Sequence, residues 1–148
     1  MIELLSPAGD MEKLKTAIYF GADAVYVAGK NFGLRAFAGN FDLNELEEAT
    51  LFCHEKGKKI YVTVNIIAHN EDFAGLKEYL EYLQEIEVDG VIVADLGVAS
   101  FVKKYAPNLE LHISTQANVI NKYSACLMAE LGAKRIVLAR ELSLSEIK

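Results

Sequence analysis

The chain of 148 residues is 52% hydrophobic and 24% charged, enough for one packed core and too short for two full domains. Ten glycines, two prolines and a net charge of −6 exclude collagenous and disordered chains, and leave no basic excess for gripping nucleic acid over a broad surface. No run approaches eighteen apolar residues, and Met1-Ile-Glu-Leu-Leu-Ser-Pro7 lacks the basic flank and apolar segment of a signal peptide, so neither export nor a membrane span is expected. The only cysteines, Cys53 and Cys126, are far apart in sequence; a reduced, cytoplasmic protein follows.

Apolar runs rich in β-branched residues alternate with segments of helical period, the signature of an α/β protein with parallel strands. In chain order the pattern predicts a strand over Ile2–Leu5, a helix over Asp10–Phe20 and a strand over Ala24–Val27. A helix over Asp42–Lys56, a strand over Ile60–Val64, a helix over Phe73–Ile86 and a strand over Val91–Ala94 follow. The series ends with a helix over Leu96–Tyr105, a strand over Leu111–Ile113, a helix over Lys122–Leu131 and a strand over Ile136–Leu138. Leu76, Tyr79, Leu80 and Leu83 form the best apolar stripe. A helix–small turn–strand unit recurs at Gly21-Ala-Asp23, Val88-Asp-Gly90 and Gly132-Ala-Lys134. Gly21, Gly57 and Gly132 sit where a left-handed residue would end a helix.

Such units close into a barrel or remain an open, doubly wound sheet. The first strand is followed by Ser6-Pro7-Ala8-Gly9-Asp10, which lacks the remaining glycines of the dinucleotide fingerprint. Polar residues follow nearly every strand: Ser6, Lys30, Asn65, Asp95, Ser114 with Gln116, and Arg140 with Glu141. A ring of functional groups at strand carboxyl ends is how a (β/α) barrel builds its site. The expected fold is therefore a parallel (β/α) barrel-like domain over residues 1–148, incomplete at about six βα units. Ser143-Leu-Ser-Glu146 has capping-box spacing, so the chain is expected to be truncated at the start of a sixth helix. Exposed sheet edges would then favour a homo-oligomer or a complementing C-terminal portion.

The longest strand-to-helix loop, Ala28 to Phe41, carries Lys30 and Arg35 among phenylalanines and glycines. It could hold an anion and stack on a planar ring, or its phenylalanines could plug the barrel mouth. His69, beside Asn70, is the best general acid or base, since imidazole titrates near neutral pH. Asp95 suits catalysis at a strand end and equally suits a helix cap. Asn65 and the cluster Ser114-Thr-Gln116-Ala-Asn118 could orient a ligand by hydrogen bonding, with capping as the alternative for the cluster. Arg140 and Glu141 read either as an internal ion pair or as an anion clamp. Alternation turns His112 and Ser114 to the face opposite Leu111 and Ile113, while His54 reads as a helix-end residue. No zinc spacing, nucleophile elbow or phosphate loop is present.

Seven ordered segments, Glu3-Leu-Leu-Ser-Pro-Ala-Gly-Asp10, Gly21-Ala-Asp-Ala-Val-Tyr26, Phe32-Gly-Leu-Arg-Ala-Phe37, Val62-Thr-Val-Asn65, Ala68-His-Asn70, Ser114-Thr-Gln-Ala-Asn118 and Val137-Leu-Ala-Arg-Glu-Leu-Ser143, together resemble the N-terminal part of the peptidase U32 family. The resemblance implies a TIM-barrel-like N-terminal region of a bacterial or archaeal cytoplasmic protein labelled a protease or collagenase. It also implies oxygen-independent hydroxylation of tRNA, ribosomal RNA or an aromatic quinone precursor, with an iron–sulfur cluster held by downstream cysteines. Cys53 and Cys126 do not match that cysteine signature, so no metal and no cofactor are expected on this segment alone, and by itself it is expected to be inactive. The leading expectation is a fragment of an RNA- or aromatic-substrate hydroxylase in which Lys30, Arg35, Asn65, Ser114, Gln116, Asn118, Arg140 and Glu141 bind substrate and His69 and Asp95 are catalytic. A peptidase with an unidentified nucleophile, and a non-catalytic folding or interaction module, are the alternatives.

Overall fold

A computed structural model describes residues 2–33 and 40–147. Its strands are β1 (Leu5–Pro7), β2 (Ala24–Ala28), β3 (Lys59–Val64), β4 (Gly90–Val93), β5 (Glu110–Ile113) and β6 (Arg135–Ile136). Its helices are α1 (Met11–Tyr19), α2 (Leu43–Glu55), α3 (Leu76–Glu85), α4 (Leu96–Tyr105), α5 (Lys122–Glu130) and α6 (Leu144–Ile147), with short 3-10 turns at Asn70–Phe73 and Thr115–Ala117. All neighbouring strands are parallel and their order follows the chain, β1 to β6. Without a reversal of order, right-handed crossovers place every connecting helix on the same face of the sheet, and no doubly wound switch point exists among the described strands.

The sheet curls. A flat sheet would hold its outer strands about 24 Å apart, five gaps of roughly 4.8 Å, yet Arg135 on β6 donates to the Glu3 carboxylate just ahead of β1 at 2.5 Å. The first and last strands therefore face each other across a concave interior, as in a half-barrel. Strand alternation divides the residues accordingly. Val25, Val27, Ile60, Val62, Val91 and Val93 point outward and pack with Leu14, Leu46, Leu80, Leu83 and Val98 from the helices, where most of the apolar burial that drives folding is found. Ala24, Tyr61 and Ile92, with Leu5 and Tyr26, line the inner face.

The expected elements reappear with small shifts. The first strand begins at Leu5 instead of Ile2: Ile2 is 95% exposed, and the Leu4 N–H is taken by the Asp23 carboxylate at 2.9 Å, outside the ladder. The helix expected over Phe73–Ile86 is split, because Gly75 takes a left-handed φ of 79° and α3 starts only after it. The glycines after α1, α2 and α5 have the positive φ their placement required: 99° at Gly21, 64° at Gly57 and 97° at Gly132.

The entry to α2 is held by a capping box, in which the Asp42 carboxylate accepts the Glu45 N–H at 2.9 Å and the Glu45 carboxylate accepts the Asp42 N–H at 2.8 Å. Replacing Asp42 with Ala is expected to lower the urea midpoint by less than any core truncation, whereas Asp42→Asn, which keeps the accepting oxygen, should stay close to the parent. Equal midpoints for the two variants would show that the box is dispensable.

Candidate functional site

At the carboxyl ends of the strands the concave wall opens into a cavity of about 390 Å³, within the size range of small-molecule sites. Its lower wall is apolar, formed by Leu5, Pro7, Ile92 and Val137 with the Tyr26 ring, and its polar rim comprises Asn40, Thr63, Asn65, Ser114, Thr115 and Gln116. No charged side chain belongs to its lining among the described residues.

Parallel pairing creates this rim. Register places Thr63 beside Ala28 and Ile92, and Asn65 and Ser114 each emerge just past the end of an adjoining strand pair. The Asn65 amide donates to Gln116 Oε1 at 2.7 Å, and the Ser114 hydroxyl donates to the same oxygen at 3.2 Å. The Gln116 backbone N–H donates back to Ser114 Oγ at 3.3 Å, closing a tight turn. With its oxygen doubly engaged, Gln116 has its amide NH2 left to offer a ligand. Such a rim recognises an uncharged group by its hydrogen-bonding edge, while Tyr26 supplies an aromatic surface.

Beneath the cavity lies a polar floor. The Glu3 carboxylate accepts from Arg135 at 2.5 Å and from the Tyr61 hydroxyl at 3.4 Å, and the Arg135 guanidinium lies 5.3 Å from the Tyr61 ring centre. The hydrogen bond from Arg135 holds the Glu3 carboxyl below its usual range, and burial pushes the Tyr61 phenol up to about 12. His112, 1% exposed, packs against Tyr61 with ring centres 4.5 Å apart and ring planes tilted by 57°, and places Nε2 3.1 Å from Glu110, while Nδ1 has no hydrogen-bond partner among the described residues. Burial lowers the imidazole pKa, outweighing the opposing Glu110 bond. His112 and Ser114 thus share the face opposite Leu111 and Ile113, as alternation predicted, and that face is the inner one, with His112 under the cavity and Ser114 in its wall.

Of the residues expected to form the site, Asn65, Ser114 and Gln116 come together. The other described ones lie elsewhere. Lys30 reaches away to Asp42 at 3.1 Å and Glu45 at 4.0 Å. The Asp95 carboxylate accepts the Val98 N–H at 2.9 Å, the cap among its two expected roles. His69 is exposed, and its backbone N–H donates to Asp72 at 2.7 Å ahead of the Asn70–Phe73 turn. Asn118 ends the Thr115–Ala117 turn in a left-handed conformation, φ 52°. Arg140 and Glu141 are both exposed and do not form the ion pair with each other that was one of their two readings. Arg35 lies outside the described residues.

Tyr26, Asn40 and Thr63 were missed. Strand alternation could have found Tyr26 and Thr63, since each stands two residues from another inward position. Asn40 arrives through the bridge between Gly29 and Phe41, a pairing across the long loop that no local pattern announces.

The cysteines do not fit an iron–sulfur centre. Cys53 is fully buried on the inner face of α2, where burial pushes its thiol up to about 12, opposite to what a thiolate ligand needs. Cys126 is exposed on α5, and no group of three or more His, Cys, Asp or Glu side chains able to hold a metal occurs among the described residues. No helix is long and apolar enough to cross a membrane among the described residues.

A sequence model described as "Peptidase family U32" matches residues 9–148. The chain is 47% identical over 146 residues to "tRNA hydroxylation protein P1" of Bacillus subtilis, covering 99% of this chain and 35% of that protein. It is 40% identical over 147 residues to "23S rRNA 5-hydroxycytidine C2501 synthase" of Escherichia coli, covering 99% of this chain and 22% of that protein. The chain thus spans about a third or less of the length of these curated relatives. The solved structure of "the U32 Peptidase Mk0906" superposes with a TM-score of 0.77 at 21% identity, covering 93% of this chain and 58% of the other.

Proposed function

The chain belongs to peptidase family U32, and on that premise we propose that its strand-end cavity holds a base of an RNA molecule that is to be hydroxylated. The observation carrying this is the neutral amide and hydroxyl rim of Asn65, Ser114 and Gln116 above an apolar, tyrosine-bearing wall. A pyrimidine offers complementary donors and acceptors on one edge and a flat face for the ring, and it carries no charge for the site to neutralise. The names of the tRNA and rRNA hydroxylation relatives point to the same class of substrate. Hydroxylation itself requires oxidising chemistry for which the described residues provide no ligand set; the role proposed for this segment is to receive and orient the base. Peptide hydrolysis is less well supported, since no serine or cysteine is hydrogen-bonded to a histidine among the described residues and the Cys53 thiol is held protonated.

The test is an NMR titration with uridine and cytidine, which carry no phosphate. Shifts should concentrate on Asn65, Ser114 and Gln116, and Gln116→Ala, which removes the offered amide and the shared acceptor, should weaken binding about tenfold. Nucleosides that leave these resonances in place while perturbing another region would remove the cavity from the proposal.

A further inference from the structure

A second hollow of about 610 Å³ lies far from the mouth, between the carboxyl ends of α1 and α2. Those helix ends lead into the beginnings of β2 and β3, so the hollow is on the opposite rim of the half-barrel from the strand-end cavity. Tyr19 and Phe20 stand 85% and 78% exposed beside it, packed edge to face with ring centres 5.4 Å apart. Phe52 forms its floor, with the ammonium groups of Lys15 and Lys56 at 5.6 and 5.8 Å from its ring centre. Lys58 completes a lining that, among the described residues, has three lysines and no carboxylate, in a chain of net charge −6.

Lysines near a helix carboxyl end complement the helix dipole, which gives Lys56 a structural reason to be there. It gives none for two large adjacent rings left in water, nor for a lining of one sign. We propose that this hollow binds single-stranded RNA, with bases stacking on Tyr19 and Phe20 and phosphates seated by Lys15, Lys56 and Lys58. Stacking on aromatic rings beside a row of cations is how sequence-tolerant single-strand sites work. Lys15 and Lys58 are presently paired with Glu48 at 3.8 Å and Asp23 at 3.2 Å. The Lys15 pair is exposed and the Lys58 pair only partly buried, each a single solvent-accessible contact of the weak kind that an arriving phosphate can displace. The local cluster reconciles an acidic chain with an RNA partner: affinity comes from one patch, not from net charge. The proposal rests on the RNA reading above for the identity of the polymer and extends it to a segment away from the base being held.

The probe is 5′-fluorescein-labelled oligo(U) of twelve nucleotides, followed by anisotropy with the 148-residue chain at low and moderate salt and by ultraviolet cross-linking mapped by mass spectrometry. Cross-links at Tyr19 and Phe20 are expected in the unaltered chain, a readout that needs no variant. The double variant Tyr19→Ala/Phe20→Ala should lose about tenfold or more in affinity. Lys15→Glu/Lys56→Glu should lose as much and flatten the salt dependence by about 1.4 in the log–log slope, two phosphate contacts at roughly 0.7 each. Tyr123→Ala, which removes another exposed ring, should leave affinity unchanged. Cross-links confined to the mouth around Tyr26 would overturn the patch while sparing the base-binding cavity, which the phosphate-free nucleosides test separately. Oligo(U) binding indifferent to both double variants would also overturn it. So would a dimer, seen by light scattering, that dissociates in the Tyr19→Ala/Phe20→Ala variant, since the rings would then be covered by a second copy.

Discussion

Gly90→Ala is expected to destabilise the chain by about 3 kcal/mol, measured as a drop in the urea midpoint at unchanged slope. Gly90 opens β4 on the inner face, and a Cβ built there would lie 2.5 Å from the Glu110 carbonyl oxygen and 2.8 Å from the Glu110 Cβ. The constraint is space, not backbone freedom, because Gly90 is absent from the positive-φ glycines. The obstructing atoms are mainly backbone of β5, and the ladder from Gly90–Glu110 through Val93–Ile113 prevents the strands from separating locally. Relief would therefore propagate along the β4–β5 seam towards Ser114, so nucleoside binding should weaken together with stability. An alanine variant with the parent's midpoint would mean that the seam yields at little cost.

Arg135→Ala should cost about 2 kcal/mol near neutral pH, between the values typical of exposed and fully buried pairs because both side chains are partly buried. The loss exceeds a simple contact: Glu3 would remain charged beside the Tyr61 ring without its partner. The sign of the pH dependence follows. In the parent the folded Glu3 pKa is depressed below 4.5, so its contribution is fully present above about 4.5 and disappears as the pH falls through the lower folded value. In the variant that contribution is gone, and the gap between the two proteins should narrow below about pH 4.5, once Glu3 is neutral. A separate acid limb belongs to His112, whose folded pKa lies below 6.5 chiefly through burial, with Arg135 also lowering it and Glu110 and Glu3 opposing. The unfolded chain binds a proton that the fold resists, so stability declines as pH drops below about 6.5. His112→Phe should remove that upper limb and leave the Glu3 limb. Urea titrations between pH 3.5 and 8 check both, and parallel curves for parent and Arg135→Ala across the range would contradict the assigned role of the pair.

The helices were legible because their signals are local. Asp10, Asp42, Asp95 and Asn121 cap α1, α2, α4 and α5, and Leu76, Tyr79, Leu80 and Leu83 form the buried face of α3. Those same signals misled at the site. A polar residue after a strand can cap a helix, close a turn or face the mouth: Asp95 caps α4, Asn118 closes the Thr115–Ala117 turn, and Gln116 faces the mouth. Lys30 looked available because its partners, Asp42 and Glu45, sit at the far end of the loop that carries it.

Periodicity, turn chemistry and the ordered motifs were sufficient for the repeating βα units, the parallel sheet and membership in the family, because each depends on residues close together in the chain. Curvature, the joining of Glu3 to Arg135, the meeting of Asn65 with Gln116 and the lysine-lined hollow between α1 and α2 were decided only in three dimensions. These contacts join residues up to 132 positions apart; which side chains meet depends on strand register and on how far the sheet bends, and neither is encoded in any short stretch of sequence.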